Sequence, residues 1–149
     1  MVIRRDVVQR AVLVTAAAGT AMLTASCGAA PAGGPTTRVD VVVKNFHIEL
    51  PATIPTGKVV FVVHGQGPTL HEFNVARSDL TPGHLPLADD DTVDDTHNTD
   101  QFYWLGQVEG IDVGMTKTFT ATITPGHYVF YCNMDGHYMA GMSAQATAQ

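Results

Sequence analysis

Three side chains near the C-terminus are of types and spacing that could share one chemical task. Cys132, His137 and Met142 lie in the segment Cys132-Asn133-Met134-Asp135-Gly136-His137-Tyr138-Met139-Ala140-Gly141-Met142, a Cys-x4-His-x4-Met pattern. Thiolate, imidazole and thioether are soft to borderline donors, whereas hard cations such as Mg²⁺ and Ca²⁺ take oxygen. Zinc accepts Cys and His but seldom Met; a His₂Cys set with a weak axial Met suits copper. Gly136 and Gly141 let the backbone turn between the donors. One imidazole is still needed from elsewhere in the chain. His71 is the best candidate, with His64 as its competitor, and Met134 and Met139 compete with Met142 for the thioether position. Taken singly, each has a plainer role: Cys132 as a buried structural thiol, His71 as a core or rim histidine. His47, His84, His97 and His127 have no comparable context and are expected at the surface or at edges.

The elements that must position these donors read as strands. Val39-Asp40-Val41-Val42-Val43 alternates, with Val39, Val41 and Val43 on one face. Lys58–Val63 places Val59, Phe61 and Val63 together, and Val60 and Val62 make its other face apolar as well. His71, Phe73 and Val75 share a face, as do Phe119, Ala121 and Ile123 within Thr116–Ile123. Val129–Cys132 sets Phe130 and Cys132 on one side, and Ser143–Ala148 has the length of a short last strand. Period-two runs rich in β-branched residues, separated by Pro and Gly, are the strand signature. Nothing after residue 38 has a sustained helical period, so the expected fold is all-β, a sandwich of short antiparallel strands. His71 at the start of one strand and Cys132 at the end of another could then meet one ion at a pole of the sandwich. Residues 79–100 break the alternation. They hold Asp89, Asp90, Asp91, Asp94 and Asp95 and are expected as a solvated surface excursion, with room for a short helical turn. The segment lacks the Gly and the terminal Glu of an EF-hand loop.

Composition and charge narrow the field. The chain has 149 residues, 45% of them hydrophobic and 15% charged, which suits one folded domain rather than a disordered chain. A formal charge of −6 argues against a nucleic-acid partner. No apolar run reaches the ~18 residues of a membrane-spanning helix. Arg4, Arg5 and Arg10 followed by the uncharged stretch Ala11–Ala25 have the layout of an export signal. Leu23-Thr24-Ala25-Ser26-Cys27 resembles a bacterial lipoprotein processing box, with Thr24 departing from its usual Leu or Val. The Arg4-Arg5 pair resembles a twin-arginine signal only weakly. The expected organisation is a signal peptide over 1–26, a flexible tether over 27–37, lipid-anchored at Cys27, and one domain over 38–149. Once lipid occupies Cys27, Cys132 has no disulfide partner in an oxidising compartment, and metal coordination would protect its sulfur.

From residue 39 to 149 the chain resembles the cupredoxins, the small blue-copper electron carriers. Leu70-His71-Glu72-Phe73-Asn74-Val75 and Tyr128-Val129-Phe130-Tyr131-Cys132, followed by Gly136-His137 and Gly141-Met142, carry the resemblance. The ligand-loop spacing is similar to that of the rusticyanin and auracyanin types. The resemblance implies a Greek-key β-sandwich with one copper ion near one end, His71, Cys132 and His137 as strong ligands, and Met142 as the weak axial one. Many members have Asn or Ser directly after the first His, bonded across to the ligand loop; this chain has Glu72. The expected function is one-electron transfer between Cu(II) and Cu(I) at the outer face of a membrane or in a periplasm. A copper chaperone or storage protein is the alternative, and an enzyme is not expected. His137 would be the electron exit, ringed by an apolar patch of Gly67, Pro68, Tyr138, Met139 and Ala140. The protein is expected to be a monomer serving redox partners, such as a basic cytochrome or an oxidase steered by the Asp-rich loop.

Overall fold

A computed structural model describes residues 34–149, and the expected signal segment, Cys27 and most of the expected tether lie outside them. The strands are β1 (Thr36–Lys44), β2 (His47–Glu49), β3 (Thr53–Ile54), β4 (Gly57–Gly65), β5 (His71–Ser78), β6 (Phe102–Ile111), β7 (Thr116–Ile123), β8 (Gly126–Tyr131) and β9 (Ser143–Ala148). They form a four-stranded sheet, β2-β1-β4-β7, and a five-stranded sheet, β3-β9-β8-β5-β6. This is a Greek-key β-sandwich, with no helix among the described residues. β1 pairs parallel to β4, while β5 runs antiparallel to both of its neighbours, β6 and β8. The domain starts slightly earlier than expected: Thr36 and Thr37, assigned to the tether, pair with Lys58 and Val59 because β4 offers them a parallel ladder.

Alternation decides which residues enter the sandwich. Val39, Val41 and Val43 of β1 and Val59, Phe61 and Val63 of β4 are buried between the sheets, facing Phe73, Val75 and Phe130. The rings of Phe61, Phe73 and Phe130 lie 5.5–5.6 Å apart, a preferred aromatic spacing. This cluster matters to the site because Phe73 and Phe130 share their faces with His71 and Cys132, two residues along the same chains. Packing the phenylalanines therefore aims both donors toward the same end of the interior.

The 79–100 segment differs from the expected solvated loop. Its Asp89, Asp90 and Asp91 are exposed, but Leu85 and Val93 are buried, and it contains no helical turn. Leu85 and Val93 pack with Ala76, Phe102, Val129, Tyr131 and Tyr138, forming a second apolar cluster on the outer face of the five-stranded sheet. The physical reason lies in β5 and β8, whose outward positions are themselves apolar and need a cover.

Candidate metal centre

Each donor sits at a boundary between an element and a loop. His71 opens β5, Cys132 directly follows β8, and Met142 directly precedes β9. Between them the loop is closed by its own backbone bonds. Cys132 N–H donates to the Met142 carbonyl at 3.1 Å, Met142 N–H to the His137 carbonyl at 3.0 Å, and His137 N–H to the Met134 carbonyl at 2.9 Å. Gly136 and Gly141 hold φ values of 75° and 91°, which side chains with a Cβ rarely adopt. Two anchors fasten the loop to the 79–100 segment. The Asn133 amide both accepts from Val93 N–H (2.7 Å) and donates to its carbonyl (3.0 Å), and the Tyr138 hydroxyl accepts from Leu85 N–H (2.9 Å).

The donor atoms converge. One ligand atom each from His71, Cys132 and His137 lies within 4.8 Å of the others. Cys132 Sγ is 3.3 Å from His137 Nδ1 and accepts a hydrogen bond from Glu72 N–H at 3.3 Å. His71, Cys132 and Met142 are fully buried, and His137 is half-buried, so the cluster reaches solvent through His137.

The electrostatics fit a cation. Burial pushes the Cys132 thiol above its ordinary value, opposed by the N–H groups of Glu72 and Met134. Burial, reinforced by neighbouring His137, pushes His71 down, which leaves a neutral imidazole, the form that binds metals. Both ring nitrogens of His71 are buried without a hydrogen-bond partner. Such orphaned groups are costly in a protein interior and call for an explanation. A metal ion between His71, His137 and the sulfur would occupy one of these nitrogens and compensate the thiolate charge. The residues present therefore fit a soft or borderline metal.

No protein-family model matches the sequence, and no curated protein sequence does. Solved structures do match. An auracyanin from Roseiflexus castenholzii superposes with a TM-score of 0.55 at 19% identity, over 78% of this chain and 99% of that one. Reduced rusticyanin gives 0.54 at 20% identity, over 78% of this chain and 81% of its own. Rusticyanin from Thiobacillus ferrooxidans gives 0.51 at 20%, over 78% and 79%. The chain has the cupredoxin fold.

Within that cupredoxin fold the competing donors are set aside. His64 lies on β4, with Nδ1 3.0 Å from Thr116 Oγ1 and Nε2 3.2 Å from Asp40, on the far side of the four-stranded sheet from the core. Met139 is 56% exposed and Met134 packs against the core. His47, His84, His97 and His127 are exposed, as expected. The patch around His137 needs a correction. Pro68, Met139 and Ala140 are exposed, but Gly67 and Tyr138 are buried, Tyr138 because its ring fills the second apolar cluster. Glu72 makes its contact with the sulfur through its backbone, so the side-chain identity there is not what supplies that bond. Its carboxyl is half-buried and raised by desolvation, and Asn133 ties the ligand loop down instead. Phe46 was missed by sequence reasoning. Its ring stands edge-on to His137 with centroids 5.2 Å apart, and an apolar residue in a short turn gives no periodic signal.

Proposed function

We propose that this protein is a one-electron carrier whose single copper ion is held by His71, Cys132 and His137, with Met142 as a weak axial donor. The observation that carries the reading is the convergence of a buried thiol and two imidazoles within 4.8 Å at one pole of a cupredoxin fold. Copper in such a donor set gains and loses one electron. The protein's part is to limit rearrangement. His71 is fixed by β5, Cys132 by β8 and by the Glu72 N–H, and the loop by its internal bonds and two anchors. The N–H donated to Cys132 Sγ withdraws charge from the sulfur, and the neutral thioether of Met142 adds little; both favour Cu(I). His137, as the half-buried donor, is the exit toward a partner, with Pro68, Met139 and Ala140 exposed in the neighbouring segments.

A chaperone or storage role is less well supported, because three of the four donors are fully buried and the exposed Met139 lies outside the set. Export and lipid attachment at Cys27 belong to the same proposal and rest on the leader-like sequence alone. They predict radiolabelled fatty acid on the full-length chain and none on Cys27→Ser.

The decisive experiment is the absorption spectrum of oxidised, copper-loaded protein beside Cys132→Ser. An intense visible band is expected in the first and absent from the second, with reversible one-electron voltammetry only in the first. Identical spectra would mean that the sulfur is not a ligand. A colourless protein that binds Cu(I) and yields it to a chelator would favour the chaperone.

A further inference from the structure

The three inner donors are sealed by the fold, so the stability of the centre against water and small anions depends on what covers His137. From outside the ligand loop, the His137 ring meets the buried His71 ring at 5.2 Å on its inner side and the ring of Phe46, a residue that is not a candidate donor. Phe46 lies in the two-residue turn between β1 and β2, where Lys44 and His47 pair directly. Its ring meets His137 at 5.2 Å and 82°, an edge-to-face contact. Phe46 is 44% exposed, so its ring is partly covered, and the contact with His137 is part of that cover. The turn is also pinned. Thr69 Oγ1 donates to Asn45 Oδ1 at 2.6 Å, which ties it to the segment leading into His71. That segment is closely packed in turn. A Cβ at Gly67 would collide with His71 Nε2 and come within 3.0 Å of Asn45 Oδ1. Asn45 thus abuts the surroundings of one imidazole while Phe46 abuts the other.

We infer that Phe46 is a positioning residue for the metal centre: its ring, held by the Asn45–Thr69 contact, fixes the His137 imidazole and shields its outer edge from solvent ligands. The copper arm of the test rests on the carrier reading; the metal-free arm does not. In metal-free protein, diethyl pyrocarbonate acylates accessible imidazoles, and peptide mapping resolves each histidine. Phe46→Ala is expected to raise the rate at His137 severalfold and leave exposed His127 unchanged. Phe46→Tyr, which keeps the ring, is expected to match the wild type. Val113→Ala removes an exposed apolar side chain from the β6–β7 turn at the same end of the sandwich and should also leave His137 protected. In copper-loaded protein, azide is expected to shift the visible band of Phe46→Ala and not that of the wild type. Equal rates at His137 in the wild type and Phe46→Ala, or an equal rise in Val113→Ala, would overturn the inference. So would azide insensitivity of blue Phe46→Ala. A wild type that never turns blue would count against the carrier while the acylation rates still judge Phe46.

Discussion

At the scale of single residues, the proposed centre separates into donors that would define the metal and one that would tune it. Cys132, His71 and His137 would bring charge and strong donation, while Met142, buried at the end of the loop, would contribute a neutral thioether. Its replacement should therefore move the potential more than the occupancy. Met142→Gln substitutes a harder oxygen donor, which favours Cu(II) and lowers the potential; Met142→Leu removes the donor and raises it. A tenfold change in the relative affinity for the two oxidation states corresponds to ~59 mV for one electron, so shifts of about that size in opposite directions are expected by voltammetry. Shifts of the same sign would show that the thioether does not act as an axial donor. These residues were legible before any fold was known because donor chemistry depends on type and spacing, and Cys132, His137 and Met142 lie in one short segment. His71 could be preferred over His64 only by its alternation with Phe73 and Val75, and the structure gathers His71 with Cys132 and His137 and hydrogen-bonds His64 on the outer face. Phe46 was illegible because its effect depends on a turn docking against a loop some ninety positions away, which no local pattern encodes.

At the scale of elements, what aims the donors is the phenylalanine packing between the sheets. Phe61 of β4 contacts Phe73, Phe119 and Phe130, with ring centroids 5.6, 6.5 and 5.6 Å away. Phe61→Ala opens a cavity beneath the two donor-bearing strands and should cost ~3–5 kcal/mol in denaturant unfolding. A loss below about 1 kcal/mol would mean that the strands collapse freely onto the gap. On the opposite face of β1 and β4, the Asp40 carboxylate accepts from Arg38 and His64, which holds its pKa down from 3.8 to about 2. A carboxyl depressed on folding adds stability above its ordinary pKa and loses it as pH falls through the folded value. The difference in stability between wild type and Asp40→Asn, small for so exposed a pair, should thus be present at about pH 5 and vanish below about pH 2. Five strands, β1, β4, β5, β7 and β8, were legible from side chains two apart on one face, and β9 from its length. β2 and β3, of three and two residues, are too short to show a period. β6 escaped for another reason: register shifts opposite β5 and positive-φ glycines at 106 and 110 break its alternation. The second apolar cluster escaped because Leu85 and Val93 stand among aspartates, and only the sheet beneath them explains their burial.

At the scale of the whole molecule, an acidic segment is fastened to the loop that carries Cys132, His137 and Met142. The formal charge is −6, and Asp89, Asp90 and Asp91 project from a segment that is bonded to the ligand loop at Asn133 and Tyr138. A negative field beside the half-buried histidine would draw a cationic partner toward the electron exit, and neutral or anionic partners would gain nothing from it. Because these aspartates are exposed, salt must weaken their pull, with a screening length of ~10 Å at 0.1 M ionic strength. Stopped-flow electron transfer with a basic cytochrome is therefore expected to slow as salt rises. Replacing Asp89, Asp90 and Asp91 by Asn should flatten that dependence, leaving the visible spectrum and the potential nearly unchanged because none of the three is a donor. An acidic cytochrome should show the opposite slope. If the triple variant keeps the full salt dependence, steering arises elsewhere on the surface and the loop serves only to cover the outer face of the sheet. If it loses the visible band, the two anchors depend on the aspartates, and the loop belongs to the scaffold of the centre rather than to its field.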